Sequence, residues 1–160
     1  MRKLKAITIF EVLIYLALFG VIFVAIVQFV IAVRDSNSMA EYRSELEKVN
    51  IYTMNHLNSS FSVANDISDA DSVFLADEGK IRLILSSKFV EYYLDEGVLY
   101  YNDNGTVHNI TNPDYIINRL YFEKIENNDG ELKGIRCNLE IVSIKASNVV
   151  KNVTTSFILK

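Results

Sequence analysis

Proline, cysteine and tryptophan are nearly absent from this 160-residue chain, which has one proline, one cysteine and no tryptophan. A single cysteine cannot form an intrachain disulfide, so the sequence predicts no disulfide framework. The proline is Pro113, and neither proline nor glycine occurs in residues 21–77. Because these two residues are the strongest helix breakers, their absence permits one very long helix.

Charge is also scarce in residues 7–33, where Glu11 is the only charged side chain. As a helix these residues are about 40 Å long, enough to cross a hydrocarbon core of about 30 Å. A cleaved secretory signal has a shorter apolar region of about 7–15 residues, followed by a small-residue cleavage site. Arg2, Lys3 and Lys5 precede the segment. By the positive-inside rule they stay in the cytoplasm and the rest of the chain lies outside it.

Glu11 is the unexpected residue in this segment, since a carboxylate buried in hydrocarbon costs about 2.5–3.5 kcal/mol on insertion scales. One explanation is that it lies at headgroup level, close to the start of the apolar residues, and reaches water from there. The other is that it meets a charged partner between packed helices, where a pair costs less than a lone charge. The cost of burying a carboxylate does not by itself distinguish the headgroup position from the paired position.

The residues before Glu11 resemble the prepilin signal of bacterial type IV pilins and pseudopilins. Three bases are followed by the small Ala6, by Ile7 and Thr8, and then by two apolar residues and Glu11. The resemblance implies that a prepilin peptidase cuts between Ala6 and Ile7 and methylates the new amine. It also implies that Glu11, then the fifth residue, meets the amine of a neighbouring subunit, so Glu11 and Thr8 are the predicted assembly residues.

The match has two departures from the commonest family pattern. Gly and Phe usually flank the cut, whereas this chain has Ala6 and Ile7. Major pilins usually carry a proline deep in the apolar segment, and here the only proline is Pro113. A helix without that kink favours a minor pilin or a pseudopilin over a major subunit.

The residues after Val33 predict an amphipathic continuation of the same helix, because apolar residues recur every three or four positions. They are Met39, Tyr42, Leu46, Val49, Thr53, Leu57 and Phe61. The predicted organisation is therefore a cleaved leader (1–6), a transmembrane and assembly helix (7–33), its amphipathic continuation (34–64) and a β-rich head (65–160). The fold class is α+β, with the long N-terminal helix packed on a C-terminal antiparallel sheet.

The head reads as short strands separated by turns. Strands are predicted at "VFLA", "KIRLILS", "FVEYYL", "GVLYYN" and "VTTSFILK", and Asn104-Gly105 predicts a type I′ hairpin turn. A second hairpin joins "NRLYFEKI" to "GIRCNLEIVSI". This order resembles minor pilins and the J-type minor pseudopilins of type II secretion, with Val90, Tyr92, Leu94, Leu99, Leu120 and Phe122 carrying the resemblance.

No pattern in the chain predicts catalysis, a cofactor or a metal. His56 and His108 lack partners at zinc-ligand spacing, which favours surface or edge positions. Alternation places Cys137 on one strand face with Ile135, Leu139 and Ile141, which indicates a buried thiol. Oxygen-bearing turns at "NDNG" and "NNDG" lack a full calcium-loop pattern and are interpreted as turn formers.

The charge balance argues against direct nucleic-acid binding. The formal net charge is −4, and removing the three bases of the first six residues leaves −7. An acidic head without clustered bases does not neutralise phosphates.

The sequence therefore predicts a non-enzymatic minor pilin or pseudopilin of a pilus, a type II secretion system or a competence system. Its expected partners are other pilin or pseudopilin subunits, the prepilin peptidase, the assembly platform protein and inner-membrane lipid. It is expected to be a single-pass inner-membrane protein that later joins an extracellular or periplasmic filament. The alternative is a membrane-anchored extracytoplasmic binding or sensor module, which predicts no cut at Ala6 and tolerance of Glu11→Ala.

Overall fold

The computed structural model describes residues 9–158, so Ala6, Ile7 and Thr8 lie outside the described residues. It has one long helix, α1 (Ile9–Val63), followed by eight strands in two antiparallel sheets. This is the α+β arrangement that the sequence predicts. The chain divides into two compact units, Met1–Ala40 and Glu41–Lys160, and α1 contributes to both.

The first sheet contains five strands in chain order. They are β1 (Asp66–Ile67), β2 (Lys80–Ile84), β3 (Phe89–Asp95), β4 (Val98–Asp103) and β5 (Thr106–Asn109). Asn104 and Gly105 connect β4 to β5 with φ angles of 51° and 100°. Positive φ at both central residues is the type I′ geometry, so the predicted hairpin is confirmed.

The second sheet contains β6 (Tyr115–Glu126), β7 (Leu132–Ser143) and β8 (Val150–Ile158). The hairpin predicted between "NRLYFEKI" and "GIRCNLEIVSI" is β6 and β7, and the last predicted strand is β8. Cys137 is fully buried beside Ile135, Leu139 and Ile141, as the alternation predicts.

A β-bulge in β6 changes which residues face the core. Tyr115 and Ile117 are buried before it, and Leu120 and Phe122 after it. The register with β7 shifts between Ile117 and Arg119. Because side chains alternate with a period of two, one extra residue moves the buried set from odd to even positions.

The predicted strand at "VFLA" is wrong, because residues 73–76 belong to an irregular segment between β1 and β2. Val73 makes one isolated bridge with Lys80. Leu75 has a φ of 58°, which turns the chain out of an extended conformation. The Leu75 amide then donates to the Phe122 carbonyl at 2.9 Å, so the segment runs along β6.

Residues 41–63 of α1 pack on both sheets of the second unit. Leu46, Leu57 and Phe61 are buried, and the Phe61 ring stacks on Phe157 of β8 with centroids 4.2 Å apart. Most of the predicted apolar stripe is therefore confirmed as core. Asn50 is also buried, which the apolar spacing does not predict.

Candidate functional site: an exposed apolar helix and a groove in the head

The N-terminal part of α1 exposes an apolar surface on all sides. Every large apolar side chain from Ile9 to Val33 is at least 40% exposed. This helix is the one among residues 9–158 that is long and apolar enough to cross a membrane, with a mean hydropathy of 2.9 in its most apolar window. Such a surface is stable only in lipid or against other apolar surfaces.

Glu11 lies in the first described turn of α1 and is the only acid in that turn. The Tyr15 hydroxyl, one turn further along, donates to a Glu11 carboxylate oxygen at 3.4 Å. Residues 12–33 alone are about 33 Å long as a helix, which matches a hydrocarbon core of about 30 Å. Glu11 therefore lies at one end of a helical stretch long enough to span the membrane.

Of the processing and assembly residues predicted from the sequence, the structure describes Glu11 alone. The cut between Ala6 and Ile7 lies outside the described residues, as does Thr8. Glu11 is the predicted site residue that lies within residues 9–158. It lies on a helix whose apolar side chains point outward in every direction, so a second helix can approach from any side.

The second unit carries a groove of about 530 Å³ between the last three turns of α1 and the first sheet. We call it the Tyr101 groove. Its lining is mainly aromatic, aliphatic and small polar, and Lys88 is the only lysine, arginine or carboxylate residue in it. The lining residues are Tyr52, Asn55, His56, Ser59, Ser60, Val63, Leu85, Lys88, Val90 and Tyr101.

A buried tyrosine hydroxyl fixes the helix side of the groove. Tyr92 of β3 is fully buried, and its hydroxyl lies 2.7 Å from His56 Nδ1 and 2.6 Å from Ser60 Oγ. The ring of His56 also meets Tyr101 edge-on, with centroids 4.6 Å apart. The cluster holds this part of α1 against β3 and β4. His56 is half buried in the wall of this surface groove, whereas His108 is exposed on the edge strand β5, in line with the predicted surface or edge position.

Burial sets the ionisation of this cluster. Burial lowers the pKa of His56 below its usual 6.5, so the ring is neutral at pH 7. Burial raises the pKa of Tyr92, so its hydroxyl keeps its proton. A neutral imidazole and a neutral phenol form a stable hydrogen bond here without any buried charge.

Lys88 lies where the groove meets the end of β4. Its ammonium is 2.7 Å from a carboxylate oxygen of Asp103 and is partly exposed. The residues that line the groove include no carboxylate, and Asp103 at its border pairs with the one lysine, so the groove carries no unpaired lysine, arginine or carboxylate charge.

Long-range polar contacts that the sequence does not reveal attach α1 to the second sheet. The Tyr115 hydroxyl donates to Glu45 at 2.9 Å, and the Lys151 ammonium lies 2.7 Å from Glu47. The partners are separated by 70 or more residues in the chain, so no local pattern could have identified them. They set the position of α1 along the sheets.

The cysteine and the asparagine-rich turns considered in the sequence analysis have structural roles. Burial raises the pKa of the Cys137 thiol to about 12, and the side chain is inaccessible to solvent. Asn102 accepts the Gly105 amide at 2.8 Å, and Asn127 accepts the Glu131 amide at 2.8 Å. Asn102 and Asn127 therefore stabilise the turns at "NDNG" and "NNDG", and Asn104, one of the residues interpreted as turn formers, takes a positive φ of 51°. Residues 9–158 contain no group of three or more His, Cys, Asp or Glu placed to hold a metal ion.

Comparison of the chain with protein-family models, with curated proteins and with solved structures finds no significant match.

Proposed function

We propose that this chain is a minor pilin or pseudopilin: a subunit cut between Ala6 and Ile7, methylated on the new amine and assembled through α1. The observation that carries the proposal is the placement of Glu11 as the only charge on the exposed apolar part of α1. The head formed by residues 41–158 has its own core and supplies the surface of the subunit.

The apolar side chains of α1 are covered by one environment before assembly and by another after it. Before assembly, inner-membrane lipid covers the side chains of residues 12–33. After extraction by an assembly platform protein, the same side chains pack against the helices of neighbouring subunits. Both environments remove the apolar surface from water, so the exchange between them has a small net cost.

In this proposal Glu11 fixes the axial stagger between the helices of neighbouring subunits. At one end of the spanning stretch it reaches the headgroup region before assembly, which avoids most of the cost of a charge in hydrocarbon. In the filament it pairs with the methylated amine of a neighbouring subunit. Leaving either charge buried without the other is strongly unfavourable, so only the correct axial stagger is stable.

The proposal assigns the chain no enzymatic activity, cofactor or direct contact with nucleic acid. Its partners are other pilin or pseudopilin subunits, the prepilin peptidase, the platform protein and inner-membrane lipid. Its location is the inner membrane with the head outside the cytoplasm, and then a filament. The same subunit type serves pili, type II secretion and competence.

The first experiment is intact-mass and N-terminal fragment analysis of the chain purified from membranes that contain an active prepilin peptidase. The expected product begins at Ile7 and carries one N-methyl group. An unmodified start at Met1 under these conditions would overturn the proposal and favour a membrane-anchored binding module.

A variant pair tests the role of Glu11 after processing. Glu11→Ala is expected to be cleaved and inserted normally but to be lost from sheared filaments. The matched control is Glu41→Ala, which removes an exposed acid from the same helix outside the apolar stretch. Equal incorporation of Glu11→Ala and Glu41→Ala would contradict the register role.

A further inference from the structure

Asn104 is followed by Gly105, and it is the only asparagine in the sequence that precedes a glycine. Such a pair is open to deamidation, because glycine has no side chain to obstruct the attack of its own amide nitrogen on the asparagine side chain. Both residues are exposed in the turn between β4 and β5, so water and hydroxide reach them. The turn therefore contains the groups for a covalent change that needs no enzyme.

Deamidation proceeds in two steps, and its only co-reactant is water. The Gly105 nitrogen loses its proton and attacks the side-chain carbonyl carbon of Asn104. A cyclic imide forms, the bond to the side-chain nitrogen breaks, and that nitrogen takes up a proton and leaves as ammonia. Water then opens the imide at one of its two carbonyls. One opening gives aspartate at position 104, and the other gives isoaspartate, whose backbone runs through the side-chain carbon.

A hydrogen bond in the folded turn restrains the attacking nitrogen. The Gly105 amide donates to the side-chain oxygen of Asn102 at 2.8 Å. A hydrogen bond to the protonated form of a group favours that form, so the amide gives up its proton less readily. The bond must also break before the nitrogen can turn toward the Asn104 side chain. Asn104 is restrained as well, because its own amide donates to the Phe89 carbonyl at 3.1 Å.

A buried carboxylate fixes the orientation of the Asn102 side chain. The side-chain amide of Asn102 donates to Glu91 at 3.4 Å. Because a carboxylate only accepts, this contact leaves the Asn102 oxygen to accept from Gly105. Glu91 is 4% exposed, and Lys80 and Arg82 lie 2.8 and 3.0 Å from its carboxylate. The restraint on the turn therefore begins at ion pairs between β2 and β3.

We propose that Asn104 is a deamidation site of this protein and that the hydrogen bond from Gly105 to Asn102 suppresses the reaction in the folded head. Glu91 is a positioning residue, since it acts only through Asn102. This inference goes beyond the proposed function and does not rest on it, because deamidation requires neither cleavage at Ala6 nor assembly.

Either product changes the end of the first sheet. Both products add a negative charge next to Asp103, which pairs with Lys88 at 2.7 Å. Isoaspartate also adds one backbone atom to a two-residue turn, which should disrupt the pairing of Asp103 with Thr106. All residues of the edge strand β5 are exposed, so its pairing with β4 is what holds it in place. Isoaspartate at position 104 should therefore release β5 from the sheet.

The test compares three full-length chains in detergent: the unmodified chain, Asn102→Ala and Val107→Ala. Val107 is the cross-strand partner of Asn102 on β5, so Val107→Ala perturbs the same hairpin but leaves the Gly105 hydrogen bond in place. The chains are incubated at mildly alkaline pH well below their melting temperatures, and peptide mass spectrometry measures aspartate and isoaspartate at position 104. Asn37 and Asn58, which precede serine inside α1, are internal references, because helix hydrogen bonds restrain the amide that follows each.

We expect Asn104 to deamidate about five-fold faster in Asn102→Ala than in the unmodified chain, which corresponds to one hydrogen bond of about 1 kcal/mol. Val107→Ala should react at the rate of the unmodified chain. Equal rates in Asn102→Ala and the unmodified chain would overturn the proposal. Equal acceleration in Asn102→Ala and Val107→Ala would also overturn it, because the cause would then be a loosened hairpin.

Unfolding in urea gives a second measurement that does not depend on how well a variant folds. In urea the three chains should deamidate at one common rate, faster than that of the folded unmodified chain. If the folded unmodified chain reacts as fast as the unfolded one, the hydrogen bond to Asn102 gives no protection. If Asn104 does not react even in urea, it is not a deamidation site.

Discussion

Gly79→Ala is the substitution for which the structure predicts the clearest cost. Gly79 lies where the segment before β2 meets β6, and its amide donates to the Leu120 carbonyl at 2.6 Å. A Cβ atom at this position would lie 2.5 Å from that carbonyl oxygen and 3.0 Å from Phe122 Cδ2. Even a weak C–H···O contact is about 3.3–3.6 Å long, so the backbone must separate by roughly 0.8 Å or more.

The neighbours of Gly79 cannot easily move. Leu120 and Phe122 are fully buried, and Leu120 is in register with Leu139 on β7. Overpacking of this kind costs about 1–3 kcal/mol, and weakening the bond to Leu120 adds about 1 kcal/mol. The free energy of unfolding should therefore fall by about 2–4 kcal/mol, which lowers the melting temperature of a head of this size by roughly 8–16 °C.

The assay is thermal unfolding of the full chain in detergent, followed through the near-ultraviolet circular dichroism of its tyrosines. Gly130→Ala is the first control: it has a φ of 80° and no atom within 4 Å of the added methyl group. It should cost only the conformational strain of about 1–2 kcal/mol. Gly20→Ala, also without a close neighbour, lies in the apolar helix and should leave the melting of the head unchanged.

The relative melting temperatures of the three variants test whether the segment before β2 is tightly packed on β6. If Gly79→Ala melts within error of Gly130→Ala, the contact between the segment and β6 is loose.

Three further substitutions test the packing of α1 on the sheets. Tyr92→Phe removes the hydroxyl shared by His56 and Ser60 and should destabilise the chain by about 1–2 kcal/mol in urea titrations, since both partners can still reach water in the groove. Because burial lowers the pKa of His56, the unfolded chain binds a proton first on acidification. Stability should therefore be complete above a pH of about 7 and fall as the pH drops through about 6.5 toward the folded pKa. His56→Gln should flatten this dependence in melting curves, and an unchanged slope would contradict the assignment. Leu57→Ala, at a fully buried position, should cost about 2–5 kcal/mol, whereas Ile51→Ala on the exposed face of the same helix should change the melting temperature little.

Sequence patterns correctly predicted those structural elements that depend only on a few consecutive residues. The helix required only an absence of breakers and an apolar run, and the hairpin at Asn104-Gly105 required only a pair of residues that tolerate positive φ. The burial of Cys137 followed from alternation in an uninterrupted strand. In each case the physical cause lies within a few consecutive residues.

Contacts between distant residues decided what the patterns missed. The bulge at Asn118 shifts the buried face of β6, so alternation along that strand alone gives the wrong side for half of it. Charged strand residues are usually exposed, yet Glu91 is buried, and Lys80 and Arg82 on β2 lie 2.8 and 3.0 Å from its carboxylate. Both depend on the register between strands, which a single strand does not contain.

The sequence by itself determined that this protein has one long helix with an apolar N-terminal part, a single acid near its start and a head of antiparallel strands. These features depend on residue type and spacing along the chain, which the sequence states directly. Only the tertiary structure decided that "VFLA" is an irregular segment held against β6, and that His56 and Tyr101 line one groove. The reason is that both depend on contacts between segments far apart in the chain, which strand pairing and helix packing bring together.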